Sequence, residues 1–194
     1  DFMRSRLFRV WLFIALCMLT VTASCGSLAS FKGSLISPAT TAPEINLTDA
    51  NGNDFQLSSL QGKVVLIFFG FTSCVDECPL TMAKLKLTLE SLGDQSQDVV
   101  VAMVSTDPVR DTPQAMQDFL GKFNPDFVGL PGTTEQLSKI WSAYGVTVLD
   151  GGETHSSYIY AIDKSGKLRL TMDTDLTSED IASDLKILFA EDRK

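Results

Sequence analysis

Two cysteines and one histidine are the residues of this chain whose types and spacing point most directly to chemistry. Cys74 and Cys78 lie four positions apart just before a predicted helix, and His155 is the single histidine. Two sulfurs at this spacing can face one point where a turn enters a helix, and the positive end of the helix favours thiolate over thiol. We therefore expect two thiolates near neutral pH at an exposed rim of the domain.

This donor set predicts the kind of metal. Two thiolates and one imidazole are soft ligands that suit Cu(I), and they hold Cu(II) with one added ligand. A structural zinc site normally has four protein ligands, and the sequence offers no obvious fourth. The pattern therefore favours an open copper site with Cys74, Cys78 and His155 as ligands.

More ordinary roles exist for the same residues. Two cysteines in an exported protein usually form a structural disulfide, although such bonds stabilise most when they close long loops. A single histidine in a polar segment is commonly a surface residue. His155 instead lies in the polar segment 150–157, directly before a predicted strand, in a loop that we expect to pack beside the cysteine segment.

The cysteine segment needs a scaffold on both sides. Residues 64–71 form a continuous apolar run, which predicts a strand buried on both faces, and residues 99–104 predict a second one. Pro79 suits the first position of a helix that Gly93 ends. Ligands of open α/β sheets bind at the carboxyl ends of the strands, which is where Cys74 lies.

The remaining pattern predicts an α/β fold of the thioredoxin-like class, with a mixed central sheet flanked by helices. Thr133 and Gln136 form a capping box, and the segment 163–166 predicts a hairpin turn. Further strands are expected at 45–48, 55–57, 158–162 and 168–172, and further helices from Thr112-Pro113, Thr133 and Thr177.

The first 24 residues form a different kind of sequence. Arg4, Arg6 and Arg9 precede an apolar run of 14 residues, 10–23, which is typical of a signal peptide and short of the ~20 residues that span a bilayer. Small residues before Cys25 resemble a bacterial lipoprotein cleavage site, after which Cys25 would carry the lipid. The alternatives are an uncleaved helical anchor and ordinary cleavage further along, near Ser30. We expect a signal peptide or membrane anchor at 1–24, a flexible tether at 25–42 and the folded domain at 43–194, on the extracytoplasmic side of a bacterial cell envelope.

The charge of the chain bears on its partners. The net charge is −8, and the body of the chain contains no run of Lys and Arg. Because nucleic-acid binding depends on basic patches, nucleic acid is excluded as the expected partner.

Three segments carry a resemblance to a known family. The chain resembles the Sco/SenC copper chaperones from about Ala42 to Phe189, through residues 70–79, 105–113 and 155–163. The resemblance implies that Cys74, Cys78 and His155 bind a copper ion and that the protein delivers it to the dinuclear CuA centre of cytochrome c oxidase subunit II.

The cysteine segment also departs from the family pattern. Asp76 matches the acidic residue that the family carries between its cysteines, and is a candidate to support the ligands. The family usually has Pro after the first Cys, where this chain has Val75, and commonly has Val before the second, where this chain has Glu77. Both changes alter the stiffness and charge of the loop.

The segment 105–113 contains further candidates. Asp107 is a second candidate for supporting the metal ligands. An Arg–Asp pair in this segment would brace the cysteine loop. The favoured interpretation is that Asp107-Pro108 and Arg110-Asp111 cap a helix and close a turn.

An enzyme is the main alternative function. A thiol–disulfide oxidoreductase would use Cys74 and Cys78 to reduce cysteines of a client protein, and two thiols of low pKa are redox-active. Thioredoxin-like enzymes typically have Cys-x2-Cys with a Pro before the facing strand, whereas here the spacing is x3 and residues 145–158 contain no Pro. A peroxidase and a binding module with a plain disulfide are weaker alternatives.

Overall fold

A six-stranded mixed sheet forms the centre of the protein. The computed structural model describes residues 30–149, 154–155 and 157–191, with only the backbone of the pair 154–155. The strands are β1 (Ser34–Thr41), β2 (Asn46–Thr48), β3 (Asp54–Gln56), β4 (Val64–Gly70), β5 (Val99–Ser105), β6 (Val128–Leu130), β7 (Val148–Leu149), β8 (Thr154–His155), β9 (Tyr158–Ile162) and β10 (Lys167–Asp173). The strand order of the central sheet is β1-β10-β9-β4-β5-β6, and two smaller pairs, β2-β3 and β7-β8, lie outside this sheet.

The central strand β4 is buried along its whole length, as the apolar run predicts. It runs parallel to β5, with Gly70 opposite Ser105, and antiparallel to β9, with Phe68 opposite Ile159. The end of β4, the end of β5 and the start of β9 therefore meet at one edge of the sheet. We call this edge, from which the segment 71–76 emerges, the cysteine edge.

Helices cover both faces of the sheet. The helices are α1 (Glu77–Leu92), α2 (Pro113–Leu120), α3 (Thr134–Ala143) and α4 (Ser178–Glu191), and 3-10 turns occupy Leu57–Leu60 and Gly93–Asp98. One core cluster packs α1, α2 and α4 against one face, and a second packs α3 and the β2-β3 pair against the other. This arrangement confirms the predicted fold class, because apolar residues on both faces of β4 require a layer on each side.

The predicted flexible tether at 25–42 is wrong for residues 34–41. Residues 34–41 form the edge strand β1, which pairs antiparallel with β10. The strand is almost entirely exposed, so it lacks alternation of apolar and polar residues, and Pro38 lies where the register shifts between Leu35 and Thr40. Proline is tolerated in an edge strand or at such a bulge. The expectations for residues 1–24 and for Cys25 lie outside the described residues.

Other differences lie close to the cysteine edge. Helix α1 begins at Glu77 rather than at Pro79, which is its third residue. Proline fits there because amides of the first helical turn have no partner within the helix. Part of the expected polar loop at 150–157 is the short strand β8, paired with β7. No helix in the described ranges combines the length and apolarity needed to cross a membrane.

Candidate metal centre

The two cysteines lie where the cysteine edge meets the start of α1. Cys74 is partly exposed and Cys78 is buried, and both are free thiols. The backbone amide of Cys78 donates a hydrogen bond to the Cys74 sulfur, with 3.4 Å between nitrogen and sulfur. The loop therefore brings both sulfurs to the amino end of one helix, as the spacing predicts.

A glycine at the end of β4 makes room for the second sulfur. A Cβ atom on Gly70 would lie 3.0 Å from the Cys78 Sγ and 2.6 Å from the Phe68 ring. Real Cβ atoms essentially never approach a heavy atom as closely as 2.6 Å, and 3.0 Å is tighter than most real contacts. Any other residue at position 70 therefore displaces the Phe68 ring and crowds the thiol. Gly70 thus allows the buried sulfur to reach the end of the strand.

Burial changes the chemistry of the second thiol. The pKa of Cys78 is raised far above its ordinary value, first because its thiolate would be desolvated, and further by contact with Cys74 and by the charge of Glu77. A backbone hydrogen bond at Phe71 acts in the opposite direction without reversing the shift. The expectation of two thiolates near neutral pH is therefore wrong for Cys78 in the metal-free protein, since the sequence does not reveal how deeply this residue is buried.

A buried carboxylate supports the loop ahead of Cys74. Asp111 accepts hydrogen bonds from the Thr72 amide at 2.9 Å, the Thr72 hydroxyl at 2.7 Å and the Ser105 hydroxyl at 2.6 Å. It thereby connects the cysteine loop to the end of β5. Burial raises the pKa of the Asp111 carboxyl and the charge of Asp107 adds to this, while the hydrogen bonds from Ser105 and Thr72 oppose it.

The other charged residues of this segment have local roles. Asp107 is buried and forms an ion pair with Arg110, and it also accepts a bond from the Arg110 backbone amide at 3.2 Å. The Arg110 guanidinium lies 6.0 Å from the centre of the Phe71 ring. Asp107 therefore closes a turn, and the brace to the cysteine loop comes from Asp111 through its bonds with Thr72. Asp76 is exposed and precedes α1 without a side-chain capping bond.

Glu77 connects the cysteine helix to two neighbouring segments. Its Oε2 atom accepts a hydrogen bond from the Ser157 hydroxyl at 2.8 Å, and its Oε1 atom accepts one from the Thr174 hydroxyl at 3.3 Å. Sequence reasoning identified Glu77 only as a departure from the family pattern. Its partners lie 80 and 97 positions away, so no local pattern reveals them.

The backbone places the third predicted ligand near the same edge. His155 is in β8, opposite Val148, and two residues later Ser157 contacts Glu77. The side chain of His155 lies outside the described residues. Among the described side chains no group of three His, Cys, Asp or Glu is placed to hold a metal ion, so the described part of the candidate centre is the pair of thiols.

Comparisons with known proteins identify the family. The SCO1/SenC family model matches residues 34–190, a range that begins with β1. A SCO2-like protein of Rickettsia felis is 33% identical over 152 residues, which are 74% of this chain and 74% of that protein.

Solved structures agree with this match. Copper-bound ScoI of Bradyrhizobium japonicum is 33% identical with a TM-score of 0.68, covering 77% of this chain and 99% of that one. Apo Sco1 of Thermus thermophilus is 32% identical with a TM-score of 0.74, covering 84% and 99%. The donor set predicts copper, and the copper-bound ScoI structure shows this metal in a protein of the same fold that is 33% identical to this chain. With four fifths of its length matched by the family model and a similar share by a solved Sco1 structure, the chain belongs to the SCO1/SenC family.

Proposed function

We propose that the protein is a copper chaperone that binds one copper ion through Cys74, Cys78 and His155. The observation that carries the proposal is the pair of free thiols at the amino end of α1. At the same edge of the sheet Ser157, two residues after His155, donates a hydrogen bond to Glu77. Sulfur donors with an imidazole select copper over hard cations. In this role copper is cargo that the protein binds and passes on.

The arrangement suits both capture and release of the ion. Copper competes with a proton for each sulfur, so binding releases protons. Burial raises the pKa of the Cys78 thiol in the metal-free protein, which adds to this competition. Val75, between the cysteines, is 95% exposed, and Val109 on the neighbouring loop is 85% exposed. Exposed apolar residues around the cysteines favour contact with a client protein that takes the ion by ligand exchange.

The client that we propose is subunit II of cytochrome c oxidase, with its CuA centre. Membership of the SCO1/SenC family supports this choice, since the family resemblance implies delivery to that centre. Copper-loaded protein mixed with the metal-free soluble domain of subunit II is expected to produce the CuA absorption spectrum. Free copper at the same concentration, with a chelator present, serves as the control, and equal rates of CuA formation in both would contradict delivery by the protein.

Copper titration tests the ligand set directly. We expect one equivalent of copper to bind, and Cys74→Ser or Cys78→Ser to abolish tight binding. His155→Ala is expected to weaken Cu(I) and Cu(II) binding strongly while the thiols keep most of their reactivity toward an alkylating reagent. Unchanged copper binding in His155→Ala would remove the histidine from the site.

A thiol–disulfide oxidoreductase is the second candidate, because both thiols are free and lie at the start of one helix, with the Cys78 amide nitrogen 3.4 Å from the Cys74 sulfur. Reduction of a client disulfide would oxidise Cys74 and Cys78 to a disulfide and transfer two electrons and two protons to the client's sulfurs. If His155→Ala leaves copper binding intact and abolishes disulfide reduction, this function replaces the first.

We also propose that residues 1–24 direct the domain to the cell envelope and that the chain is held at the membrane there. The arginines before the apolar run and the small residues before Cys25 support the proposal. The intact mass of the protein isolated from membranes distinguishes the two forms: a lipidated chain beginning at Cys25, or an uncleaved chain that retains the apolar run.

A further inference from the structure

Glu77 is placed to act on both parts of the proposed copper site. It is the first residue of α1 and is adjacent to Cys78. Its carboxylate accepts hydrogen bonds from Ser157, two residues after His155, and from Thr174, which directly follows β10. One side chain therefore connects the cysteine helix to the two segments that flank it on the cysteine edge.

The contact with Ser157 limits where the histidine segment can go. Ser157 directly precedes β9, so it marks the point where the chain enters the central sheet. Two residues span at most about 7 Å of extended chain. Holding the Ser157 hydroxyl at 2.8 Å from Glu77 therefore keeps the backbone of residue 155 within a short reach of α1 and of Cys78.

The second contact fixes Glu77 itself. The Lys84 ammonium donates a hydrogen bond to the backbone oxygen of Thr174, whose hydroxyl donates to Glu77. The turn after β10 is thus tied to α1 at two places about two helical turns apart. Because long side chains lose rotamer freedom when they bind a partner, a glutamate already held by Thr174 gives a better-defined acceptor for Ser157.

We propose that Glu77 is a positioning residue that holds the segment carrying His155 against the cysteine pair. The proposal rests on the proposed copper function and deepens it. Glu77 acts through Ser157 as a hydrogen-bond acceptor and does not itself bind the metal. Side chains that orient metal ligands in this way typically change metal affinity 10- to 100-fold when they are removed.

Hydrogen exchange in the metal-free full-length chain, in detergent, is the first test. Glu77→Ala and Ser157→Ala are expected to speed exchange of the backbone amides of residues 154–158, and Glu77→Gln is expected to retain protection, because its amide oxygen still accepts from Ser157. Glu90→Gln, which removes the same charge about 20 Å further along α1, serves as the control. Unchanged exchange in Glu77→Ala would overturn the proposal whatever the protein does with copper.

Copper itself provides the second test. Glu77→Ala and Ser157→Ala are each expected to lower Cu(II) affinity about tenfold. We also expect both to shift the thiolate-to-Cu(II) absorption band and weaken the nitrogen coupling in the electron paramagnetic resonance spectrum. The Cu(II) affinity of the double variant, Glu77→Ala with Ser157→Ala, is expected to match that of either single variant, because both substitutions remove the same Ser157–Glu77 hydrogen bond. Glu77→Gln is expected to keep a Cu(II) affinity within about twofold of that of the unsubstituted protein, because its amide oxygen still accepts the hydrogen bond from Ser157.

The outcomes separate this proposal from the copper function. Equal losses in Glu77→Gln and Glu77→Ala would assign the effect to charge and overturn the positioning role, as would additive losses in the double variant. Failure of the unsubstituted protein to bind copper, with the exchange pattern as expected, would defeat the copper function and leave the positioning of residues 154–158 established. Copper binding that is indifferent to Glu77→Ala would defeat the positioning role alone.

Discussion

Two aspartates at opposite ends of the central sheet are buried to the same degree, but their pKa values shift in opposite directions. Asp111 lies at the cysteine edge, 3% exposed, and Asp163 lies at the β9-β10 turn, 4% exposed. Each accepts hydrogen bonds through both carboxylate oxygens. The pKa of Asp111 is raised, mainly by burial, whereas for Asp163 the same effect of burial is outweighed by hydrogen bonds from Ser165, Lys167 and Arg169, which lower the pKa.

The difference comes from the charges of the partners. Asp163 pairs with the Arg169 guanidinium at 3.1 Å, so its ionised form has a cation beside it. The donors that hold Asp111, on Thr72 and Ser105, are uncharged, and the negative charge of Asp107 lies nearby. The ionised Asp163 carboxylate therefore stabilises the fold. The Asp111 carboxylate holds the cysteine loop in place, but its ionised form lowers the stability of the fold.

The largest effect is expected at the turn. Asp163→Asn removes one of the two carboxylates that pair with the largely buried Arg169 guanidinium, the other being Glu191 at 2.7 Å. It should lower the free energy of unfolding at neutral pH by about 2 kcal/mol, the typical cost of losing hydrogen bonds to a charged group. Because the pKa of Asp163 is lowered in the folded state, its stabilisation is present above the unfolded pKa near 4 and is lost as pH falls through the folded pKa. Urea unfolding at pH 7 and pH 3 should show the difference between the two proteins shrinking in acid. A difference independent of pH would contradict the ionic role of this residue.

A smaller effect with the opposite dependence on pH is expected at the cysteine edge. Asp111→Asn disturbs three hydrogen bonds and should cost about 1.5 kcal/mol in acid. Because the pKa of Asp111 is raised, its contribution is fully present below the unfolded pKa and is lost as pH rises through the folded pKa. The destabilisation caused by Asp111→Asn should therefore shrink as pH rises, in the same urea experiment. Destabilisation that grows with pH would mean that the two aspartates act alike.

Copper binding separates the two aspartates by function. Asp111→Asn is expected to lower copper affinity about tenfold, because Thr72 precedes Cys74 in the loop that the carboxylate holds. Asp163→Asn is the matched control and should leave affinity unchanged, since its partners all lie at the other end of the sheet. Competition with a chelator of known copper affinity measures both variants. Equal losses would indicate that general destabilisation, rather than the brace, controls the site.

The same contrast explains what the sequence alone could predict. The turn around Asp163 was predicted because its partners, Ser165 to Arg169, lie within six positions and form a recognisable turn motif. The buried strand β4 and the capping box at Thr133 are equally local and are confirmed. The thioredoxin-like class followed from the order of such elements.

Features that depend on distant residues were not predictable. Asp111 binds Thr72 from 39 positions away, and for the segment around it closing a turn was favoured over bracing the cysteine loop. The burial that raises the pKa of Cys78 depends on how the sheet and α1 pack, which spacing does not reveal. Strand β1 is stabilised by pairing with β10, about 130 positions away, and its exposed residues carry no strand pattern.

The smallest effects are expected from two serines that donate to these carboxylates. Ser105 Oγ donates to Asp111 at 2.6 Å and also accepts from the Asp107 amide at 3.0 Å, and it is fully buried. Ser165 Oγ donates to Asp163 at 2.7 Å, where the Ser165 amide donates as well. Ser105→Ala leaves a buried amide and a carboxylate oxygen each without this partner, so we expect a loss of about 1 kcal/mol in the free energy of unfolding.

Ser165→Ala should cost less, about 0.5 kcal/mol, because the Asp163 carboxylate keeps two backbone amides and the Arg169 guanidinium. Of the two serine variants, Ser105→Ala is also the one expected to weaken copper binding, by about threefold, since Thr72 remains as the donor to Asp111. Thermal unfolding with and without copper measures both quantities, because a ligand that binds the folded state raises the melting temperature according to its affinity. If copper raises the melting temperature of both serine variants equally, Asp111 keeps the cysteine loop in place without Ser105, and the brace consists of its contacts with Thr72 alone.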